Sequence, residues 1–349
     1  MGNRIRTLII DDSALARDLL KRGLSTDPEI EVVGTAQDPF VGRDKIVYKK
    51  PDVITLDIEM PRMDGLDFLR RLMPQHPLPV IIVSALAAPG ARATLEALQL
   101  GAVDFVLKPS SKLGVQLPDM LAELKAKIKM AASVDVSKWK KGSTRPAPKR
   151  HGNVLVGSSD KVVAIGASTG GTVALRHMIN EYPSDMPGTV VVQHMPPTFT
   201  QLFAESLDKT AQVEVREAAD NDRVLTGTVL VAPGGRQLRV RRSGGEYRVS
   251  LGDEQKVNGH APSVDTLFHS VADQVGPNAV GVLLTGMGRD GADAMLRMRR
   301  AGARTLAQDE QSSVVFGMPR EAYINGGAER LIHIDNMTHE VVRMLKDMK

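Results

Sequence analysis

Three side chains that could act together in catalysis each follow an apolar run typical of a buried strand. Ser168 lies in a glycine-rich turn after residues 162–165, His194 follows residues 188–193, and Asp290 follows residues 279–285 across a second glycine-rich turn. Serine, histidine and aspartate can serve as nucleophile, general base and orienting acid. Each residue alone also has a purely structural explanation. Asp290, for example, fits a carboxylate that stabilises a helix N-terminus. Together they predict a serine hydrolase site.

The turn around Ser168 fits more than one kind of site. Residues 166–170 match the pattern G-x-S-x-G, which exposes a serine between a strand and a helix. The same residues fit a crossover turn whose serine caps the helix, or a phosphate-binding turn of the dinucleotide type. In α/β-hydrolases the acid lies between the serine and the histidine in the sequence, and in that order Asp290 would pair with His333 or His339. His333 lies within an apolar run and is expected to be structural, so we assign the base to His194.

Polar residues in the first 130 residues fall at the carboxyl ends of predicted strands. Five apolar runs alternate with five amphipathic stretches, which predicts a parallel sheet with helices on both faces. The apolar runs are residues 7–10, 31–36, 53–56, 80–83 and 103–107. The amphipathic stretches are residues 14–24, 39–48, 66–73, 91–100 and 118–130. At the shared sheet edge we expect Asp11, Asp12, Asp57, Ser84 and Lys108. The three carboxylates need a cation, and all-oxygen ligands suit Mg²⁺.

The rest of the chain indicates a linker and a second α/β domain. Residues 137–152 carry six basic and no acidic residues, with prolines and glycines and without apolar periodicity, which favours a flexible basic linker; Trp139 is the only tryptophan. Strand and helix patterns resume near residue 161, and residues 212–251 predict a hairpin-rich insertion or sheet edge. We therefore predict three parts: residues 1–130, a linker at 131–158, and a doubly wound α/β domain with a hairpin insertion at 159–349.

Composition bounds the possible functions. The 349 residues include no cysteine, which excludes a disulfide framework and thiolate metal sites and fits a reducing compartment. The net charge of +4 and an aromatic content of 3% do not favour nucleic-acid binding. The sequence shows neither an apolar run of membrane-spanning length nor a secretory signal, so we expect a cytoplasmic protein that is not inserted in a membrane.

Four motifs of the first domain resemble the receiver domains of response regulators. They are I-I-D-D-S at residues 9–13, the ten residues 56–65 beginning L-D-I-E-M-P, V-S-A at 83–85 and V-L-K-P at 106–109. The resemblance implies a flavodoxin-like five-stranded sheet in which Asp57 is the phosphoacceptor and Asp11, Asp12 and Asp57 hold Mg²⁺. It also implies that Ser84, Phe105 and Lys108 form the switch that responds to phosphorylation.

The whole chain resembles the family of chemotaxis-specific protein-glutamate methylesterases and glutaminases. Motifs at residues 166–171, 193–196, 284–291 and 307–309 carry this resemblance. It implies a phosphorylation-activated hydrolase that acts on γ-methyl glutamyl esters and certain glutamines of chemoreceptors, with a chemotaxis histidine kinase as phosphodonor. We expect backbone N–H groups near Thr169 and Met287 to form the oxyanion hole. No cofactor is expected for this domain.

Functions of other classes fit the sequence less well. A non-catalytic signalling adaptor with an intact receiver remains the alternative. A nucleotide-binding oxidoreductase lacks the third-glycine spacing and the acidic residue that would end the next strand. A DNA-binding regulator would need a helix-turn-helix pattern after the receiver, where the sequence instead alternates strands and helices.

Overall fold

A computed structural model describes residues 4–85, 88–109, 113–136, 160–252 and 254–348. The chain divides into two compact units, residues 1–141 and 142–349. Most of the linker predicted at 131–158, including Trp139, lies outside the described residues. Of the part that is described, Ala131 ends a helix and both Ala131 and Val136 are buried.

The first unit is a five-stranded parallel sheet in the order β2-β1-β3-β4-β5. Its strands are β1 Ile5–Ile10, β2 Ile30–Ala36, β3 Val53–Leu56, β4 Val80–Ser84 and β5 Asp104–Leu107. Its helices are α1 Ala14–Leu24, α2 Pro39–Lys49, α3 Gly65–Gln75, α4 Ala88–Gln99 and α5 Leu113–Ala131. Helix α1 packs against α5 and α3 against α4. The parallel strand order, with a helix between successive strands, confirms the flavodoxin-like fold predicted from the sequence.

Side-chain caps explain where three of these helices begin. Ser13, Asp38 and Asp64 precede α1, α2 and α3, and each accepts a hydrogen bond from the backbone N–H three residues further on. Such a bond satisfies one of the N–H groups that a helix start leaves without an intrahelical partner. Strands β3 and β4 are buried along their whole length, as expected for parallel strands covered on both faces.

The second unit is a seven-stranded parallel sheet in the order β14-β13-β12-β6-β7-β9-β8. Its strands are β6 Val162–Ala167, β7 Thr189–Gln193, β8 Glu214–Glu217, β9 Thr228–Val231, β12 Ala279–Leu283, β13 Arg304–Gln308 and β14 Arg330–Ile332. Its helices are α6 Gly171–Asn180, α7 Phe199–Asp208, α8 Val264–Gln274, α9 Ala292–Arg300, α10 Met318–Ile324 and α11 Ile334–Asp347, with a short 3₁₀ turn at Gly276–Asn278. Helix α6 packs against α7 and α11, and α9 packs against α8 and α10.

The segment expected to be an insertion or sheet edge contains both. Strands β8 and β9 close one edge of the main sheet, whereas β10 Leu238–Ser243 and β11 Glu246–Leu251 form a separate antiparallel hairpin. The doubly wound fold with a hairpin insertion is thus confirmed. Among the described helices, none is both long enough and apolar enough to cross a membrane.

Candidate functional site

The three strand ends that carry the predicted triad are neighbours in the second sheet. Strand β6 lies between β12 and β7, and its last residue, Ala167, is in register with Gln193. The next residues, Ser168 and His194, are therefore adjacent, and the His194 N–H donates to the Ala167 carbonyl at 3.1 Å. The Ser168 N–H donates at 3.0 Å to the carbonyl of Thr285, which follows β12. The structure thus brings the predicted strand ends together at one edge.

Asp290 binds the imidazole of His194 from a buried position. The Nε2 atom of His194 lies 2.8 Å from Oδ2 of Asp290, and the two side chains are only 7% and 2% exposed. Asp290 also accepts hydrogen bonds from Asn258 Nδ2 at 2.9 Å, Ser263 Oγ at 2.8 Å and the Val264 N–H at 2.7 Å. Burial alone would raise the pKa of Asp290, but the bonds from His194, Asn258 and Ser263 outweigh it and hold that pKa well below its usual range.

The contact with Asp290 decides which nitrogen of His194 is available for catalysis. Because Nε2 faces a carboxylate that can only accept, we assign the proton of the neutral ring to Nε2. Nδ1 is then the basic nitrogen, and it is buried without a hydrogen-bond partner among the described residues. Ser168 is partly exposed. The sequence identified the histidine but could not distinguish its two nitrogens.

A short turn that the sequence analysis missed contacts both His194 and Asp290. Residues 257–260 are closed by two backbone hydrogen bonds, from the Val257 N–H to the His260 carbonyl and the reverse, each 2.9 Å long. The His260 ring stacks on His194 with centroids 3.7 Å apart and planes 8° apart. Asn258 donates to Asp290, as described above. The Asn-Gly pair at 258–259 is a recognised turn signal, but nothing in the sequence links this turn to the triad.

Asp265 is a second buried carboxylate beside Asp290. It accepts hydrogen bonds from the N–H groups of Gly291 and Ala294, both at 3.1 Å, and from Asn258 Nδ2 at 2.6 Å. Burial and the adjacent negative charge of Asp290 raise the pKa of Asp265. Asp265 therefore ties the turn that carries Asp290 to the start of α8.

Each of the two peptides predicted to line the oxyanion hole has a carbonyl held by two donors. The Ser168 carbonyl accepts from the Gly171 N–H at 2.7 Å and from Gln193 Nε2 at 2.9 Å. The Gly286 carbonyl accepts from the Gly317 and Met318 N–H groups at 3.2 and 2.9 Å. In a trans peptide the N–H points opposite to the carbonyl, so these bonds fix the directions of the Thr169 and Met287 N–H groups. The glycine turn also passes close to the serine, since a Cβ built at Gly286 would lie 2.8 Å from Ser168 Cβ.

The predicted phosphoacceptor site of the first unit is also assembled. Carboxylate oxygens of Asp11, Asp12 and Asp57 lie within 4.8 Å of one another. Lys108 Nζ lies 2.8 Å from Asp11 Oδ2 and 2.7 Å from Asp57 Oδ2. Burial and the charge of Asp11 raise the pKa of Asp57 despite Lys108. The all-oxygen donor set with its surplus of negative charge fits a divalent cation such as Mg²⁺. Ser84 ends β4 and is buried.

Phe105, the predicted switch aromatic, lies in β5 and is 6% exposed, so its ring is turned into the unit. The ammonium of Lys127 lies over this ring, 5.3 Å from its centroid.

His333, expected to be structural, precedes α11 and accepts a hydrogen bond from the Asp335 N–H, so it caps that helix.

Comparisons with known proteins match both units. The family model described as CheB methylesterase matches residues 163–341, and that of the response regulator receiver domain matches residues 7–116. The chain is 56% identical to a protein-glutamate methylesterase/protein-glutamine glutaminase of Syntrophotalea carbinolica, with 100% of both chains covered. It is 50% identical to the protein of the same name from Sulfurimonas denitrificans, with 99% of both chains covered.

Among solved structures, the CheB methylesterase catalytic domain of Thermotoga maritima matches with a TM-score of 0.52 and 35% identity, covering 53% of this chain and 99% of that one. The resemblances inferred from the motifs are confirmed.

Proposed function

We propose that this chain, which belongs to the protein-glutamate methylesterase/protein-glutamine glutaminase family, hydrolyses glutamate γ-methyl esters and selected glutamine amides on chemoreceptors in the cytoplasm. The observation that carries the proposal is the bond between His194 Nε2 and the buried Asp290 carboxylate, at the strand end next to Ser168. A base oriented by an ionised acid beside a partly exposed hydroxyl is the arrangement needed for acyl transfer.

In the proposed reaction, His194 relays one proton in each of two steps, the acylation of Ser168 and the hydrolysis of the acyl-serine. Its Nδ1 accepts the proton of the Ser168 hydroxyl as the serine oxygen attacks the γ-carbonyl carbon, and Asp290 stabilises the imidazolium. The Thr169 and Met287 N–H groups bind the resulting oxyanion, a contribution of about 2.7–4 kcal/mol per donor in another serine hydrolase. The tetrahedral intermediate then expels methanol or ammonia, which takes the proton from Nδ1. Water then attacks the acyl-serine as Nδ1 accepts its proton. The second tetrahedral intermediate expels the Ser168 oxygen, which takes that proton back from Nδ1, and the glutamate side chain is released as the free acid, which ionises.

We propose that the first unit controls this reaction through phosphorylation of Asp57 by a chemotaxis histidine kinase. Asp11, Asp12 and Asp57 would hold Mg²⁺, which supplies charge neutralisation for the phosphoryl group when it is bound. Lys108 contacts two of these carboxylates, which places a second positive charge at the same position. We assign to Ser84 and Phe105 the conformational response to phosphorylation of Asp57. The hydrolytic unit needs no cofactor in this scheme, because the triad itself supplies nucleophile, base and orienting acid.

Methanol release from methylated chemoreceptor fragments tests the proposal. We expect the native protein to release methanol, and a small-molecule phosphodonor with Mg²⁺ to increase the rate. Ser168→Ala should abolish release in both conditions, whereas Asp57→Asn should keep the basal rate and lose the stimulation. Release that persists in Ser168→Ala would remove the nucleophile assignment. No release from any receptor fragment would favour the non-catalytic adaptor.

A further inference from the structure

Gln193, the residue before the histidine of the triad, has a buried side-chain amide that contacts the serine turn. It ends β7 and is 3% exposed. Its Nε2 donates to the Ser168 carbonyl at 2.9 Å and makes a longer contact of 3.4 Å with the His194 carbonyl. One amide group therefore bridges the backbone at the nucleophile and the backbone at the base.

The partners of this amide fix its orientation. With oxygen and nitrogen exchanged, the side-chain oxygen would face the carbonyl oxygens of Ser168 and His194, which cannot donate. In the orientation observed, Oε1 of Gln193 is buried and has no hydrogen-bond partner among the described residues. A buried acceptor without a partner destabilises a fold and calls for an explanation beyond packing.

The second glycine of the serine turn leaves room for this amide. A Cβ built at Gly171 would lie 2.1 Å from Gln193 Oε1 and 2.7 Å from Ala167 Cβ. The backbone of Gly171 lies in the first turn of α6, outside the left-handed region, so its conformation does not require glycine. We attribute the glycine at this position to the space that the Gln193 side chain and Ala167 occupy.

The two peptides predicted to line the oxyanion hole, Ser168–Thr169 and Gly286–Met287, differ in the groups that bind their carbonyls. The Gly286 carbonyl is held by two backbone N–H groups, whereas the Ser168 carbonyl depends on one backbone N–H and on Gln193. Because the Ser168 carbonyl and the Thr169 N–H belong to one planar peptide, the amide that holds the carbonyl also sets the direction of the N–H. Loss of the amide would let this peptide rotate.

We propose that Gln193 is a positioning residue, which aims the Thr169 N–H at the developing oxyanion by holding the Ser168 carbonyl from behind. This inference rests on the proposed function, since it assigns Gln193 a role in the same reaction. The consequence is specific: Gln193 stabilises the transition state through Thr169 and does not touch the bound ester. Its loss should lower kcat and leave KM nearly unchanged.

Steady-state methanol release by the full-length chain tests this role. Gln193→Met keeps the approximate volume and removes the donor together with the unpaired acceptor. We expect kcat to fall by roughly 10-fold to 100-fold, as for a small misplacement of a catalytic group, with KM within about twofold. Gly171→Ala should lower kcat in the same way, because it displaces the amide while Gln193 is retained. Rates are expressed per folded molecule, from the unfolding curve of each variant.

Thr338→Val is the matched control. Thr338 is 4% exposed and donates one buried hydrogen bond to the Met178 carbonyl, so the variant also loses one buried side-chain to backbone bond. It should retain native kcat. Gln193→Met with native kcat, or with only KM raised, would overturn the inference. Ser168→Ala in the same assay separates the two proposals: if Ser168→Ala is inactive and Gln193→Met is fully active, only the role of Gln193 is wrong. If Ser168→Ala is active, the proposed function fails first.

Discussion

The carboxylate of Asp290 is surrounded by hydrogen-bond donors on both of its oxygens. Oδ2 faces His194 Nε2 and the Val264 N–H, and Oδ1 faces Asn258 Nδ2 and Ser263 Oγ. An amide at this position would turn its NH₂ group toward donors in either orientation. Only an ionised carboxylate satisfies every partner, which is why the pKa of Asp290 is held low despite burial.

Asp290→Asn should therefore impair both catalysis and the pH dependence of stability. In one orientation its NH₂ group faces His194 and favours the ring tautomer with the proton on Nδ1, which removes the base. We expect kcat to fall by about 10⁴-fold, the loss seen for the equivalent change in a serine protease. Methanol release at saturating substrate measures this loss. A decrease of less than tenfold would contradict the assigned role of Asp290.

The same variant tests whether the low pKa of Asp290 makes stability depend on pH. A carboxyl whose pKa is lower in the folded state stabilises the fold above its unfolded pKa of about 3.9, and this stabilisation is lost as pH falls toward the folded value. The free energy of unfolding of the native protein should decrease below about pH 4, and that of Asp290→Asn should decrease less. Asp265 has a raised pKa and acts with the opposite sign, and part of that rise comes from the charge of Asp290, so the difference between the two proteins reports the coupled pair of carboxylates. Urea unfolding at a series of pH values gives it; parallel curves would contradict the low pKa.

At the scale of elements, the turns that present Ser168 and Asp290 share one design. Each leads from a buried strand to a helix through a glycine in the left-handed region, Gly170 at φ 78° before α6 and Gly291 at φ 89° before α9. Neither of these two glycines has space for a side chain. A Cβ at Gly170 would lie 2.4 Å from Val314 Cγ2, and one at Gly291 would lie 2.5 Å from Val264 Cγ1.

Alanine substitutions separate the two reasons for glycine at such a position, namely the left-handed backbone conformation and the lack of space for a Cβ. Gly326 also has a positive φ, 79°, but a Cβ there meets nothing within 4 Å. Gly326→Ala should therefore cost only the left-handed conformation, about 1–2 kcal/mol. Gly291→Ala should cost about 1–3 kcal/mol more, because Val264 must also move, and it should lower kcat because Val264 binds Asp290. Chemical unfolding and methanol release test both, and equal losses of stability would show that the contact with Val264 is unimportant.

Much of this arrangement could be predicted from the sequence because strand ends are strongly marked. Continuous apolar runs that stop at Ser168, His194 and the Gly286–Gly291 turn indicated which residues share an edge, and the register of β6 with β7 and β12 agrees. The turn at 257–260 was not predicted, because it lies between a hairpin and α8 without any periodicity. His260 and Asn258 reach the triad through tertiary packing, and the choice of Nδ1 as base depends on which nitrogen faces Asp290.

At the scale of the whole molecule, the proposed phosphoacceptor site and the proposed hydrolytic site lie in separate compact units. Asp57 belongs to the unit of residues 1–141 and Ser168 to the unit of residues 142–349. Each unit has its own sheet and its own buried core. All three residues of the proposed triad belong to the second unit, where His194 already contacts Asp290. We therefore expect the first unit to restrain hydrolysis by the second, by shifting a population between restrained and active states.

Cutting the chain between the units tests restraint against direct activation. A protease recognition sequence replaces residues 142–145, and the purified protein is assayed for methanol release before and after cleavage, with and without phosphodonor. If the first unit restrains hydrolysis, cleavage should raise the basal rate to at least the phosphodonor-stimulated rate and abolish the response to phosphodonor. The same replacement in Asp57→Asn should give a low rate before cleavage and the same high rate after it, because release from restraint no longer depends on phosphorylation. A chain with a scrambled recognition sequence controls for the protease. A cut protein that is no more active than the uncut, unphosphorylated one would show instead that the phosphorylated first unit must act positively on the hydrolytic unit.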